Sequence, residues 1–218
     1  MKNTVELLGI YGDDLTHACS AWTSTSRDLT DDKIKRVPAL LKMLAENNHH
    51  TPFEKSSLHF LVNVDQATHI HLLKHRIGVS INGESARYKE LKEDKFYIPE
   101  DWLSENESFT ENELLKYWAS TLESQTETMN KLYHKCLSDL SPIIGRPRAK
   151  ESARFFKTFN SQITMDVMFN WRSFYHFLNL RNKPDAQLEV RELANSMLKL
   201  VKELPGNPFE HTIKAFNL

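Results

Sequence analysis

The sequence predicts an α+β fold, a single domain spanning residues 1–218 with a central antiparallel or mixed sheet flanked by helices. Three observations carry that expectation. Residues 58–64 and 163–169 alternate apolar and polar positions, the two-residue period of half-buried strands. Residues 30–44, 111–138 and 186–204 instead carry apolar side chains at helical spacing. Strands and helices are intermixed along the chain and no internal repeat stands out.

The elements follow in order. Residues 4–11 place Val5, Leu7 and Ile10 ahead of Gly12-Asp13-Asp14, a short strand and turn. Residues 17–27 are small and hydroxylic (Ser20, Thr23, Ser24, Thr25, Ser26) and read as a ligand-facing loop. Thr30 with Asp31 and Asp32 starts a helix through Ile34, Val37, Leu41 and Leu44, and Pro38 marks its start or a kink. Pro52 pushes Thr51 into an extended step. Leu58, Phe60, Val62 and Val64 form a strand with one apolar face. Asp65 caps a helix that buries Ala67, Ile70, Leu73 and Ile77, with His71 and His75 on one face. That helix breaks into a loop at Gly78. Residues 86–90 read as a short strand, 96–99 as an extended connector and 104–110 as a polar linker.

The long helix, about 111–138, carries a stripe of Leu115, Trp118, Leu122, Met129, Leu132 and Cys136, best read as core. Ser141-Pro142 and Gly145-Arg146-Pro147 punctuate the chain before a basic segment, 148–157. Ile163, Met165, Val167 and Phe169 make another strand. Asn170-Trp171-Arg172 opens an aromatic-rich helix ending at Arg181, and the last helix covers 186–204.

Composition narrows the function classes. With 28 basic and 29 acidic residues the formal net charge is −1, so no global field recruits nucleic acid or an anionic membrane, and neither is expected as a partner. No apolar run reaches bilayer length, the N-terminus lacks a signal-peptide layout, and two cysteines are too few for a disulfide scaffold. A cytoplasmic protein is expected. His71 and His75 have helical ligand spacing, but no H-E-x-x-H pattern or cysteine cluster completes a metal site, so no metal is expected. Neither Cys19 nor Cys136 stands in a nucleophile's setting, G-x-S-x-G is missing, and the six glycines never form G-x-G-x-x-G.

What stands out is the stretch from Lys74 to Tyr88. Lys74, His75 and Arg76 sit at one end and Arg87 at the other, with Gly78, Gly83, Ser80, Ser85, Asn82 and Glu84 between. Glycine backbone, serine hydroxyls and guanidinium forks suit a phosphate, although a solvated loop has the same composition. Together with Arg154, Arg172 and Arg181 they favour a phosphorylated, ring-containing ligand.

These residues resemble the signature of the flavin-dependent thymidylate synthases. That signature reads Arg-His-Arg, seven or eight residues, then Ser; here it is Lys74-His75-Arg76, eight residues, then Ser85 with Arg87-Tyr88. His49-His50-Thr51-Pro52-Phe53-Glu54 resembles the family's His-x-Thr-Pro-Phe-Glu segment. Asn170-Trp171-Arg172, His176-Phe177, Leu180-Arg181 and 186–190 resemble its C-terminal pattern, so the likeness runs from about residue 15 to 204.

The resemblance implies a homotetramer with active sites shared between subunits. It implies reductive methylation of dUMP to dTMP, with FAD as cofactor and NADPH and 5,10-methylenetetrahydrofolate as co-substrates, and no enzyme nucleophile. Carried over by residue, Arg181 is the catalytic group on the uracil edge. His49, Thr51, Lys74, His75, Arg76, Glu84, Asn170, Arg172 and His176 fall to the flavin. His71, Lys74, Glu84, Ser85, Ala86, Arg87, Arg154 and Arg181 fall to the nucleotide. Two positions depart from the pattern. Lys74 replaces the first arginine with a point charge, and His71 stands where the family often carries glutamine. Two other readings fit the same residues: a related flavoenzyme that hydroxymethylates dUMP, and a non-catalytic nucleotide- or RNA-binding protein.

Overall fold

Four strands form one antiparallel sheet among the described residues, 1–104 and 108–218, of the computed structural model. They are β1 (Thr4–Tyr11), β2 (Ser57–Asp65), β3 (Val79–Gly83) and β4 (Gln162–Phe169), in spatial order β1-β2-β4-β3. Glu84 N donates to Thr164 O at one end of the β3–β4 pair and Asn170 N to Gly78 O at the other, the opposed numbering of antiparallel strands. On interior strand β2, Leu58, Phe60, Val62 and Val64 are fully buried, as their alternation predicts. Edge strand β1 lies where expected but is largely exposed, Tyr11 included. The segment after Gly78, expected as a loop, is strand β3; its short polar residues suit an edge partly open to water. The predicted linker 104–110 lies partly outside the described residues.

The chain divides into two compact units, one of residues 1–4, 63–72 and 83–165, the other of residues 5–62, 73–82 and 166–218.

The first unit is dominated by α5 (Phe109–Ile144), a 36-residue helix that overruns the expected 111–138. Pro142 sits within its last turn rather than ending it, and Gly145, at φ 82°, closes it. The buried face is Ala119, Thr126, Asn130, Tyr133 and Leu137, one position round from the predicted stripe, so Trp118 and Leu132 are exposed. Polar residues hold that face because each is satisfied. Thr126 Oγ1 donates to Leu122 O, Asn130 Oδ1 accepts from Lys157 Nζ, and Tyr133 Oη accepts from Leu91 N. Tyr133 and Leu137 pack on Ala149 and Ala153 of α6 (Arg146–Ala153).

In the same unit α4 (Gln66–Leu73) starts at Asp65, whose carboxylate accepts from Thr68 N and Oγ1. Thr68 and Leu72 are its buried residues, while Ile70, Leu73 and Ile77, expected inside, are exposed. Apolar residues are spread around this helix, so their spacing selects no face. Residues 86–90 form a turn, not a strand, because Tyr88 N and Lys89 N both donate back to Ser85 O.

The second unit holds α1 (Asp14–Trp22), α2 (Asp31–Lys35), α3 (Val37–Glu46), α7 (Trp171–Arg181), α8 (Leu188–Lys202) and α9 (Glu210–Ala215). The break at Arg36, with Pro38 in the first turn of α3, is the one the sequence anticipates. Residues 17–22, expected in a loop, are helical because Asp13 and Thr16 form a capping box. Thr23, Ser24 and Thr25 return their hydroxyls to the carbonyls of Cys19, Ala21 and Trp22. Thr51–Lys55 is a 3₁₀ turn, not an extended step; proline at its start fits the fixed φ of a first turn. Helix α9 follows the one expected to be last. Phe60, Phe169, Phe174 and Phe177 fill the centre, with Trp171 stacked on Phe209.

A buried polar chain crosses this core. Asp14 Oδ1 accepts from Thr212 N and Oγ1, Thr212 Oγ1 lies 3.0 Å from His17 Nδ1, and His17 Nε2 lies 2.8 Å from Ser56 Oγ. With the Thr212 hydroxyl proton committed to Asp14, His17 donates from Nδ1 and accepts from Ser56 at Nε2, the neutral ring. Burial lowers the His17 pKa to about 4. Between the unfolded value of 6.5 and that value the unfolded chain binds more protons, so stability falls as pH falls. The loss amounts to about 3 kcal/mol by pH 4. Asp14, raised by burial, acts with the opposite sign, so the comparison is made against a variant. His17→Gln should lose about 3 kcal/mol less than wild type between pH 7 and pH 4 in urea unfolding. Equal losses would show that His17 is not the titrating group.

Candidate active site

Within the first unit, a cleft of about 530 Å³ gathers Glu84, Ser85, Ala86 and Arg154, four of the residues assigned to the nucleotide. The backbone places them simply. Glu84 N donates to Thr164 O as β3 ends, and the turn that follows carries Ser85 and Ala86 along the cleft. Glu84 Oε2 accepts from Thr164 N at 3.1 Å and Oε1 pairs with Lys89 at 2.5 Å, so this acid fastens the turn. Arg154 opens a 3₁₀ turn, Arg154–Phe156, and is exposed at the cleft. Arg87 is absent from the lining. Its Nε lies 3.1 Å from Glu151 Oε1 and its guanidinium 5.5 Å from the Tyr88 ring centre. His71 is absent from the lining too, and α4 contributes Gln66 and His69 instead.

Sequence reasoning missed Gln66, His69, Phe155 and Lys157 in this cleft. Desolvation lowers the His69 pKa, which keeps the ring neutral at physiological pH. Three-residue spacing puts Gln66 and His69 on one side of α4, a signal visible only once the helix start is fixed. Lys157 is held by Asp94 and Asn130, at 2.8 and 2.7 Å, with the Tyr133 ring 4.4 Å from its Nζ. A larger cavity of about 690 Å³ beside Met1, Phe96 and Leu103 contains none of the predicted residues.

Of the residues assigned to the flavin, Glu84 lies in the first-unit cleft; the others belong to the second unit, on α7 and its N-cap or on the turns at residues 49–51 and 74–76. Asn170 is that N-cap, with Oδ1 accepting from Ser173 N at 2.9 Å. Ser173 Oγ donates to Ile77 O at 2.8 Å and Asn170 N to Gly78 O, which latches the Lys74–Gly78 turn onto the helix. Gly78 has φ 67°, and a Cβ there would lie 2.2 Å from Ser173 Oγ. The latch leaves Lys74 and Arg76 exposed, without an ion pair among the described residues. His49 and Thr51 are exposed at the 3₁₀ turn, and Arg172 Nη1 pairs with Glu54 of that turn. His50 next to them packs against Phe53, Tyr175 and Phe216; burial first, and then the Arg172 charge, lowers its pKa.

At the other end of α7, Arg181 Nε donates to His75 Nε2 at 3.0 Å. The His75 ring is buried edge-on against Phe177, with the exposed His176 ring 6.3 Å away. Lys74, Arg76, Arg172, His49 and His176 make an exposed set of cationic and imidazole donors. By type, such groups suit the phosphates of a diphosphate-bearing cofactor.

Residues 7–205 match the family described as thymidylate synthase complementing protein. The chain belongs to the flavin-dependent thymidylate synthase family. It is 32% identical to the flavin-dependent thymidylate synthase of Thermosipho melanesiensis over 98% of this chain and 91% of that one. It is 33% identical to that of Thermosipho africanus, over 98% and 92%. Among solved structures, a UMP/dUMP methylase, PolB, from Streptomyces cacaoi, bound with 5-Br dUMP, superposes with a TM-score of 0.82 at 26% identity. That match covers 99% of this chain and 95% of that one. Every residue of both sets described above falls inside the stretch matched to the family. No described helix is long and apolar enough to cross a membrane.

Proposed function

We propose that this flavin-dependent thymidylate synthase relative converts dUMP to dTMP as one functional domain, with methylenetetrahydrofolate as carbon donor and NADPH as reductant of FAD. The observation that carries the reading is the family match over residues 7–205, which runs through every assigned residue. The relatives are named as flavin-dependent thymidylate synthases, and the solved neighbour is a UMP/dUMP methylase bound with 5-Br dUMP. When bound, the flavin supplies the hydride that completes the methyl group.

The chain's own residues bind and polarise. Ser85, Ala86 and Arg154 hold the nucleotide through phosphate-seeking groups. Arg87 joins them on releasing Glu151, an exposed pair that contributes little on its own. Gln66 and His69 extend the same wall. Lys74, Arg76, Arg172, His49, Thr51, Asn170 and His176 hold the flavin. Arg181 takes the imide edge of the uracil, where a fixed cation stabilises charge as N3 loses its proton. No enzyme nucleophile is assigned, and Cys19 and Cys136 are free thiols outside both sets. A homotetramer with shared active sites suits the exposed apolar residues Phe109, Tyr117, Trp118 and Leu132 of α5.

The test is product identification. Purified protein supplied with FAD, dUMP, methylenetetrahydrofolate and NADPH is expected to yield dTMP, read by mass spectrometry. A 5-hydroxymethyl product, or no nucleotide turnover by flavin-loaded protein, would overturn the reading.

A further inference from the structure

The second unit contains one contact whose role the flavin assignment does not cover: the bond from Arg181 Nε to His75 Nε2. A guanidinium is always a donor, so the imidazole accepts at Nε2 and carries its ring proton on Nδ1. The ring cannot swing away. It is only 8% exposed, and the Phe177 ring packs against it at 83°, with ring centres 5.0 Å apart. Arg181 is the last residue of α7 and half-exposed, with rotamer freedom of its own. With Nε engaged by His75, the donors a ligand can take as a parallel pair are those of the two terminal nitrogens of the fork. That arrangement matches a planar ligand edge carrying adjacent acceptors, such as a deprotonated imide.

We infer that His75 is a positioning residue for Arg181: its Nε2 anchors the guanidinium at Nε and so aims the fork at the base edge of the nucleotide. The inference rests on the proposed dUMP reading. It differs from the flavin assignment, under which His75 serves the cofactor and leaves Arg181 unaffected. Because Arg181 is the group that moves, loss of the anchor acts through it. The two residues should therefore be coupled in nucleotide binding itself, before any chemistry.

The experiment is a double-mutant cycle on dUMP affinity, measured by calorimetry with flavin-loaded protein. His75→Gln places an acceptor oxygen near the Nε2 position, whereas His75→Leu removes it. With both variants held at saturating FAD, Leu is expected to weaken dUMP binding about tenfold and Gln less than threefold. In an Arg181→Ala background the Leu substitution should weaken binding no further. Additive losses, or equal losses for Gln and Leu, would overturn the anchoring role. If the Leu variant fails to fold, His75→Asn, whose oxygen stops one bond short, replaces it with the same expectation. Wild-type protein that binds dUMP and forms dTMP while the cycle shows no coupling would refute only this inference. Wild-type protein with no dUMP affinity would refute the function reading itself.

Discussion

Arg181→Ala is expected to lower turnover at least ~10²-fold while leaving thermal stability and flavin content at wild-type values. The side chain stands at the end of α7, half-exposed, so its removal opens no core cavity, although it takes away the partner of the buried His75 ring. What it removes is a preorganised donor pair where charge develops, an effect of about 10²–10³ in rate for a comparable single donor. Arg181→Lys separates charge from geometry. Lysine keeps the cation but has neither the fork nor an Nε to bond His75, so it should restore little of the loss. The measurement is the steady-state rate of dTMP formation beside flavin absorbance and a melting curve. Full activity in Arg181→Ala would remove this residue from the mechanism, and lost flavin would reassign it to the cofactor.

The parts of the fold legible in the sequence are those where one physical cause dominates. Strand β2 was readable because Leu58, Phe60, Val62 and Val64 all face one buried side. Asn170 and Asp65 announced helix starts because a side-chain cap is a local bond. Helix α5 was legible in kind and only approximately in face. Its buried positions include Thr126, Asn130 and Tyr133, whose partners, such as Lys157 and Leu91, are distant in sequence. Residues 17–25 misled for a related reason: hydroxyl groups look ligand-facing until their bonds to helix carbonyls are known.

The candidate site divides the same way. Motif spacing pointed to Glu84, Ser85 and Ala86, the family resemblance added Arg154, and the structure brings these four to one cleft. Motif transfer also chose His71, whereas α4 lines that cleft with Gln66 and His69. A helix whose apolar residues are spread around it gives the sequence no means of choosing among its histidines. The Arg181–His75 contact spans 106 positions and belongs to no local pattern.

Gly78→Ala is the substitution expected to damage the protein most through its backbone. At φ 67° an alanine costs about 1–2 kcal/mol from the left-handed conformation alone. The added Cβ would also lie 2.2 Å from Ser173 Oγ and 2.6 Å from Asn170 Nδ2, distances that force movement. Neither neighbour yields cheaply. Ser173 Oγ is bonded to Ile77 O and Asn170 Oδ1 caps α7, so relief breaks the latch or the cap, each worth about 1 kcal/mol. Together these terms give a loss of about 2–4 kcal/mol, a large share of the stability of an ordinary domain. Urea unfolding of Gly78→Ala measures it directly. Ser173→Gly in the same chain removes the closest atom but not the strained φ, so it should recover part of the loss and no more. Because the latch also holds the Lys74–Arg76 turn, the variant should bind flavin less tightly even where it remains folded. A fully stable Gly78→Ala protein with normal flavin content would show that this turn is not held against α7 as described.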